Sequence, residues 1–171
     1  MRNLPLLFAF ASVVLSACAT SHPQNAEEFR AAVPGAFMAK TETWEVDRPV
    51  GDIASTFQKR APECLNVRVE TESFSTTSYQ YIVTAYKPTV QVSNQRAELH
   101  VQQLHEQGVI NVTEVPDGGY YLLVVDAYPM DANRSRMELF GPSRGYDVLI
   151  KAVKGWASGE NFGCPDMTKI G

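Results

Sequence analysis

The chain has little of what reactive sites are usually built from. Its 171 residues hold three histidines, three cysteines and two tryptophans. No HExxH pair is present, so that zinc-protease arrangement is excluded. One GxSxG match occurs, Gly141-Pro142-Ser143-Arg144-Gly145, the pattern of the nucleophile turn of the α/β-hydrolases; its Ser143 is expected to cap the last helix instead. There is no glycine-rich phosphate loop. The sequence contains no internal repeat and no low-complexity tract, which excludes a repeat array. No block of like charge occurs, and 15 basic residues face 19 acidic ones. That mildly acidic balance argues against nucleic acid or an anionic lipid surface as the main partner. The longest apolar segment, Leu4–Leu15 ("LPLLFAFASVVL"), is too short to span a bilayer, which takes about 20 residues.

What is present starts with that segment. Met1-Arg2-Asn3 is a short, singly positive lead-in, Leu4–Leu15 is the apolar stretch, and the small residues Ser16 and Ala17 follow. This is the pattern of an export signal. Its ending, Leu15-Ser16-Ala17-Cys18, resembles the lipobox of bacterial lipoproteins. The resemblance implies that the Cys18 thiol receives a diacylglycerol, that residues 1–17 are cut away, and that the new amine is acylated in turn. Two or more acyl chains hold far more firmly than one, at about 0.8 kcal/mol per buried CH₂. Ala19 stands where an aspartate would retain many enteric lipoproteins in the inner membrane, so the analogy favours the outer membrane. The expected organisation is a signal peptide (1–17), a lipid-anchored tether with a possible short helix (18–40) and one domain (41–171). Without the leader the chain has 154 residues and a net charge of −5, a length suited to a single core.

Cys64 and Cys164 remain. An exported protein leaves the reducing cytosol, so an even pair reads as a disulfide. The rival is a metal site, but two cysteines without CxxC spacing supply too few thiolates for zinc. A crosslink closing a loop of about 100 residues stabilises by at most about 4.7 kcal/mol in the chain-entropy account.

Periodicity supplies the elements. "AEEFRAAV" suits a turn or two of helix before Pro34-Gly35. "KTETWEVD" alternates as a strand, Trp44 and Val46 against Thr43, Glu45 and Asp47. Val50, Ile53, Ala54, Phe57 and Ala61 make one helix face, which Pro62 is expected to stop, with Cys64 at the exit. Strands are expected in "LNVRVETESF", "SYQYIVTAYK", "QRAELHVQQLH", "GVINVTEV", "YYLLVVDAY" and "RSRMELFG". The fifth, apolar on both faces after the Asp117-Gly118-Gly119 turn, reads as central and covered on both sides. Short connections favour hairpins. A last helix carries the stripe Tyr146, Leu149, Ile150, Val153, Trp156 and Ala157. Ser143 is its expected cap and Gly159 its stop, with Lys151 and Lys154 suited to its dipole. The fold class is therefore α+β: an antiparallel sheet of about five to seven strands, an earlier helix and a long C-terminal amphipathic helix.

This element order resembles the helix-grip topology of START and Bet v I-like domains, and the helix-grip modules of an outer-membrane barrel-assembly lipoprotein. It covers most of residues 41–160 and carries no residue motif, so no site is transferred. A ferredoxin-like or other α+β sandwich is the alternative. The phrases "VDRP", "GYYLLVVDAYP" and "KGWASGENFGCPD" look like those of Gram-negative lipoproteins, a likeness that implies an envelope address and no activity.

Candidate chemistry is sparse. His100 and His105 are five apart and read as lying on opposite strand faces, which suits no common metal. Glu98, His100 and Gln102 share a face, read as solvated. Asp126 sits inside an apolar run and needs a partner if buried; Arg134 or Arg136 on the next strand could supply it. Tyr79, Tyr81, Tyr86, Tyr120 and Tyr121 read as core or a cross-strand ladder, with a cavity lining as the other reading. No catalytic residue, cofactor or metal ligand is assigned; the assigned sites are Cys18 for lipidation and Cys64 with Cys164 for the disulfide. The expected function is a lipid-anchored, periplasm-facing envelope module that contacts proteins without catalysis. The alternative is a binder of a small apolar ligand held between the sheet and the C-terminal helix, and an enzyme ranks last.

Overall fold

Alternation along the strands and helical spacing between them build the domain. A computed structural model of the chain describes residues 22–75, 79–107 and 115–170. The leader and Cys18 lie outside the described residues, as does all of the "GVINVTEV" segment except Val115. The elements run α1 (Ala26–Ala32), β1 (Ala39–Val46), α2 (Val50–Leu65), β2 (Arg68–Phe74), β3 (Tyr79–Val92), β4 (Ala97–Gln107), β5 (Tyr120–Pro129), β6 (Ser135–Pro142) and α3 (Asp147–Ser158), with a short 3₁₀ turn at Met167–Lys169. The six strands form one sheet in the order β1-β6-β5-β4-β3-β2, antiparallel throughout. The fold is thus α+β, with three helices on a single antiparallel sheet.

One face of the sheet is apolar. Leu99 and Val101 of β4, Leu123 and Val125 of β5 and Met137 and Leu139 of β6 are fully buried there. Ile53, Phe57 and Leu65 of α2 and Leu149, Val153 and Trp156 of α3 fill the space above them, each 1% exposed or less. The region between sheet and helices is packed solid.

α2 does not end at Pro62 as expected; it runs on to Leu65, with Cys64 inside its last turn. A proline in a helix forfeits one backbone bond. Here the cost falls in the final turn, where Cys64 and Leu65 are buried and bind the segment to the core. Cys64 is joined to Cys164, tying the end of α2 to the segment beyond α3 across a separation of 100 residues.

α3 is 12 residues, three turns rather than a long helix. Tyr146 holds the cap position without a side-chain bond, and the expected cap, Ser143, is exposed and donates its N–H to Met38 O at 2.8 Å. At the other end Gly159 takes φ +82, the left-handed conformation that ends helices. The last carbonyls are met by Arg48, whose Nη1 donates to Trp156 O (2.9 Å) and Ala157 O (3.1 Å). Arg48 thus takes the place expected of Lys151 and Lys154 at the negative end of the dipole. Lys154 instead pairs with Glu42 and lies over the Trp44 ring, which sets α3 beside β1.

Candidate functional site

The opposite face of the sheet carries the densest group of ionisable side chains among the described residues. Glu98, His100 and Gln102 do share a face, but they are only 3%, 5% and 3% exposed. The solvated reading of that face is corrected. Its cover is α1, which crosses it from a point far away in sequence.

α1 is seven residues, too short to persist alone in water. Asn25 caps it by accepting from Glu28 N–H at 2.9 Å, and Glu28 reaches back to Gln24 N–H at 2.8 Å, a reciprocal capping pair. Glu27 and Glu28 in the first turn and Arg30 in the last suit its dipole. Phe29, Arg30 and Val33 fall at i, i+1 and i+4, the spacing of a buried face. Phe29 packs on Tyr121, with ring centroids 5.9 Å apart.

Arg30 points down onto β4 and β5. Its Nε donates to Asp126 Oδ2 at 2.6 Å and its Nη2 to Asp126 Oδ1 at 2.7 Å, a two-pronged grip on one carboxylate. The same Nη2 also meets Glu98 Oε2. Glu98 Oε1 lies 2.9 Å from His100 Nδ1. An ionised carboxylate only accepts, so Nδ1 carries the proton of that bond. The His100 ring leans on Tyr121 at 5.2 Å. Arg96 closes the outer side, 3.2 Å from Glu98 Oε2 and 2.6 Å from Glu27 Oε1 on α1. Arg30 Nη1 is buried within 3.0 Å of Glu27 Oε1, yet without hydrogen-bond geometry.

Burial and pairing pull the two carboxylates in opposite directions. Burial works to raise Glu98, but the bonds from His100 and Arg30 outweigh it and hold the carboxyl at about 2. Asp126 is fully buried, and loss of solvent pushes it above its ordinary value despite Arg30 and Arg96. Arg30 is held more firmly protonated: burial works against its charge, and the bonds to Asp126 and Glu98 prevail.

Asp126 is therefore ion-paired as its position demands, but not by Arg134 or Arg136. Arg134 bonds Asp131 at 2.8 Å. Arg136 pairs with Glu138 at 3.2 Å, the residue directly across the ladder from Asp126, and lies over Tyr128. Gln102 has a separate task. Its Nε2 donates to Asp117 O and Gly119 O, each at 2.8 Å, and so braces the turn before β5. Gly119, at φ +105, presses against the backbone there; a Cβ would lie 2.4 Å from Gln103 O. His105 is not part of the cluster and bonds Thr84 Oγ1 at 3.0 Å.

The five tyrosines line no common cavity. Tyr86 is core, Tyr79 stacks on Phe74 in solvent, Tyr81 bonds Glu70, Tyr120 meets His22 and Tyr121 belongs to the cluster. An apolar cleft of about 310 Å³ opens at the edge of α1, with Pro23, Phe29, Val33, Met38, Leu122 and Tyr146 among its walls.

Among the described residues no group of three or more histidine, cysteine, aspartate or glutamate side chains is arranged to hold a metal. No described helix is long and apolar enough to cross a membrane. All four oxygens of Asp126 and Glu98 are engaged by Arg30, Arg96 and His100. The chemistry of the cluster is turned inward: it fastens α1 to the sheet. No local signal in the sequence marks Arg96, and for Arg30 the only one is its place on the Phe29–Val33 face of its helix. No protein-family model, curated protein or solved structure matches the chain.

Proposed function

We propose that this protein is a cell-envelope lipoprotein, acylated at Cys18, held at the outer membrane and facing the periplasm, where it acts as a non-catalytic interaction or assembly module. The observation that carries this reading is the Leu15-Ser16-Ala17-Cys18 box behind a short apolar segment; the clasp of Arg30 on Asp126 and Glu98 supports its non-catalytic part. α1 is the first element after the tether, and His22 lies four residues beyond Cys18, a reach of about 14 Å at full extension. A tether that only kept the domain near a membrane would need no buried ion pair on its first helix. The clasp carries the position of the anchor into the sheet and sets how the domain stands.

Two further observations support the reading. The cluster spends its charges on itself, which suits a structural role better than catalysis. The space between sheet and α3 is filled, which weighs against an apolar ligand held there. We also keep the helix-grip comparison as part of the proposal. A strand, a helix, five strands and a helix, with β1 joined to β6, support it, although α3 is shorter than the comparison implies.

Growth in labelled palmitate followed by membrane fractionation tests the proposal. Wild-type protein should carry label and sediment with the outer membrane, and Cys18→Ser should do neither. An unlabelled wild-type protein would overturn the reading.

A further inference from the structure

The loop joining α1 to β1 holds two large apolar side chains in solvent. Phe37 is 94% exposed, more than any other large hydrophobic among the described residues, and Met38 is 51% exposed. Met38 has φ +58, the single non-glycine described residue with positive φ. Strain of that kind persists only where the surroundings impose it, and it gathers at working parts of proteins. Here the surroundings do impose it. Met38 O accepts from Ser143 N–H at 2.8 Å, and the other side of the loop closes with Ala36 N–H on Val33 O at 3.1 Å. The tip is a tied turn that presents its apolar side chains outward.

The tether leaves the domain at the same place. Pro23 and Met38 are walls of one cleft, the apolar one beside α1. Cys18 precedes Pro23 by five residues, a reach of about 17 Å at most. Whatever holds Cys18 is therefore held close to Phe37 and Met38. The β5–β6 turn with Met130 lies at the far end of the sheet, because β6 starts at that turn with Ser135 opposite Val46 and ends with Pro142 opposite Ala39, next to this loop.

We infer that the Phe37–Met38 tip enters the lipid bilayer beside the acyl anchor, at the boundary of headgroups and acyl chains. The inference rests on the lipid-anchor reading of Cys18. The contact is apolar and not electrostatic, since the mature chain is acidic. An aromatic ring suits that boundary, and a second apolar foothold fixes an orientation that flexible acyl chains alone leave free.

The test uses the mature lipidated protein in phosphatidylethanolamine–phosphatidylglycerol vesicles with brominated acyl chains. Phe37→Trp adds a reporter at the tip, and Met130→Trp adds one at the opposite end; both sites are exposed, so the fold tolerates them. The emission added by Phe37→Trp should be quenched by bromolipid at least twofold more than that added by Met130→Trp, with iodide in the water giving the reverse order. The difference should persist in high salt. Protein that floats with the vesicles while the two reporters quench alike overturns the inference and leaves the anchor standing. Protein that does not float overturns both.

Discussion

On one face of the sheet, two helices bury Phe57, Leu149 and Trp156 against Leu99, Leu123 and Leu139. On the other, a seven-residue helix lowers one arginine onto two carboxylates. The first face is held by apolar area, which is non-directional and grows with every side chain added. The second is held by a few directional bonds around charges that burial makes costly to leave unpaired. A face held by area tolerates exchange of one hydrophobe for another of similar size. A face held by a fork of donors tolerates very little. The comparison also separates roles: the α2–α3 face holds the core together, and the other face fixes where α1 sits on the sheet.

The largest expected effect is on the first face. Trp156 is 1% exposed, and its indole Nε1 donates to Phe162 O at 3.1 Å. Trp156→Ala should cost about 3–5 kcal/mol through lost burial and the cavity left behind. That is a large part of the ~5–15 kcal/mol that holds a typical domain. Urea denaturation measures it. A midpoint equal to wild type would mean that the apolar face is not what holds the domain together.

The two faces differed just as much in how far the sequence disclosed them. The apolar face was legible because its signals are local: the stripe from Tyr146 to Ala157, the Ile53–Phe57–Ala61 spacing and the alternation through Leu99 and Val101 each lie within one element. Gly159 announced the end of α3 for the same reason. The polar face was not legible, because alternation tells which residues share a side and not what covers it. Glu98 and Asp126 meet a helix 68 and 96 residues earlier in the chain. Pro62 misled in another way. Its cost as a helix breaker is local, and the burial of Cys64 and Leu65 outweighs it.

The next effect falls on the clasp. Arg30→Ala leaves Glu98 and Asp126 facing a dry roof, and breaking a buried pair in this way costs about 3 kcal/mol. α1 can lift and admit water, so the loss should appear first as faster hydrogen exchange and proteolysis within residues 22–33, before global unfolding. Arg30→Lys should recover only a minor part, since an ammonium cannot span both Asp126 oxygens. Replacing Arg30, Glu98, His100 and Asp126 together with apolar residues should restore most of the lost stability, since no buried partner is then left unpaired. If Arg30→Lys protects α1 as well as arginine does, the face is held by charge alone, without need of a directional fork.

The smallest effect is on acid stability, and it sharpens the contrast within the cluster itself. Glu98 is held at about 2, below the ordinary carboxyl value of 4.5. A depressed carboxyl contributes stability that is fully present above the unfolded value and is lost as pH falls toward the folded one. Its window is therefore about pH 4.5 down to 2. Asp126 is raised above 3.8, and its sign is the opposite: the folded state holds that proton more tightly, so its contribution falls as pH rises through the window above 3.8. The two windows meet near pH 4, so of these two groups Glu98, and not Asp126, contributes to the acid limb below that point. Glu98→Gln removes the titrating group while keeping an oxygen to accept from Arg30. Unfolding free energies from urea titrations between pH 2.5 and 5.5 should then decline less steeply toward acid in Glu98→Gln than in wild type, by an amount on the order of 1 kcal/mol across the range. The other lowered carboxylates, Glu27, Glu42, Glu70, Asp131 and Asp166, are present in both proteins and cancel in the difference. Identical acid limbs in the two proteins would mean that Glu98 is not held down by His100 and Arg30, and that the α1 face is fastened by packing after all.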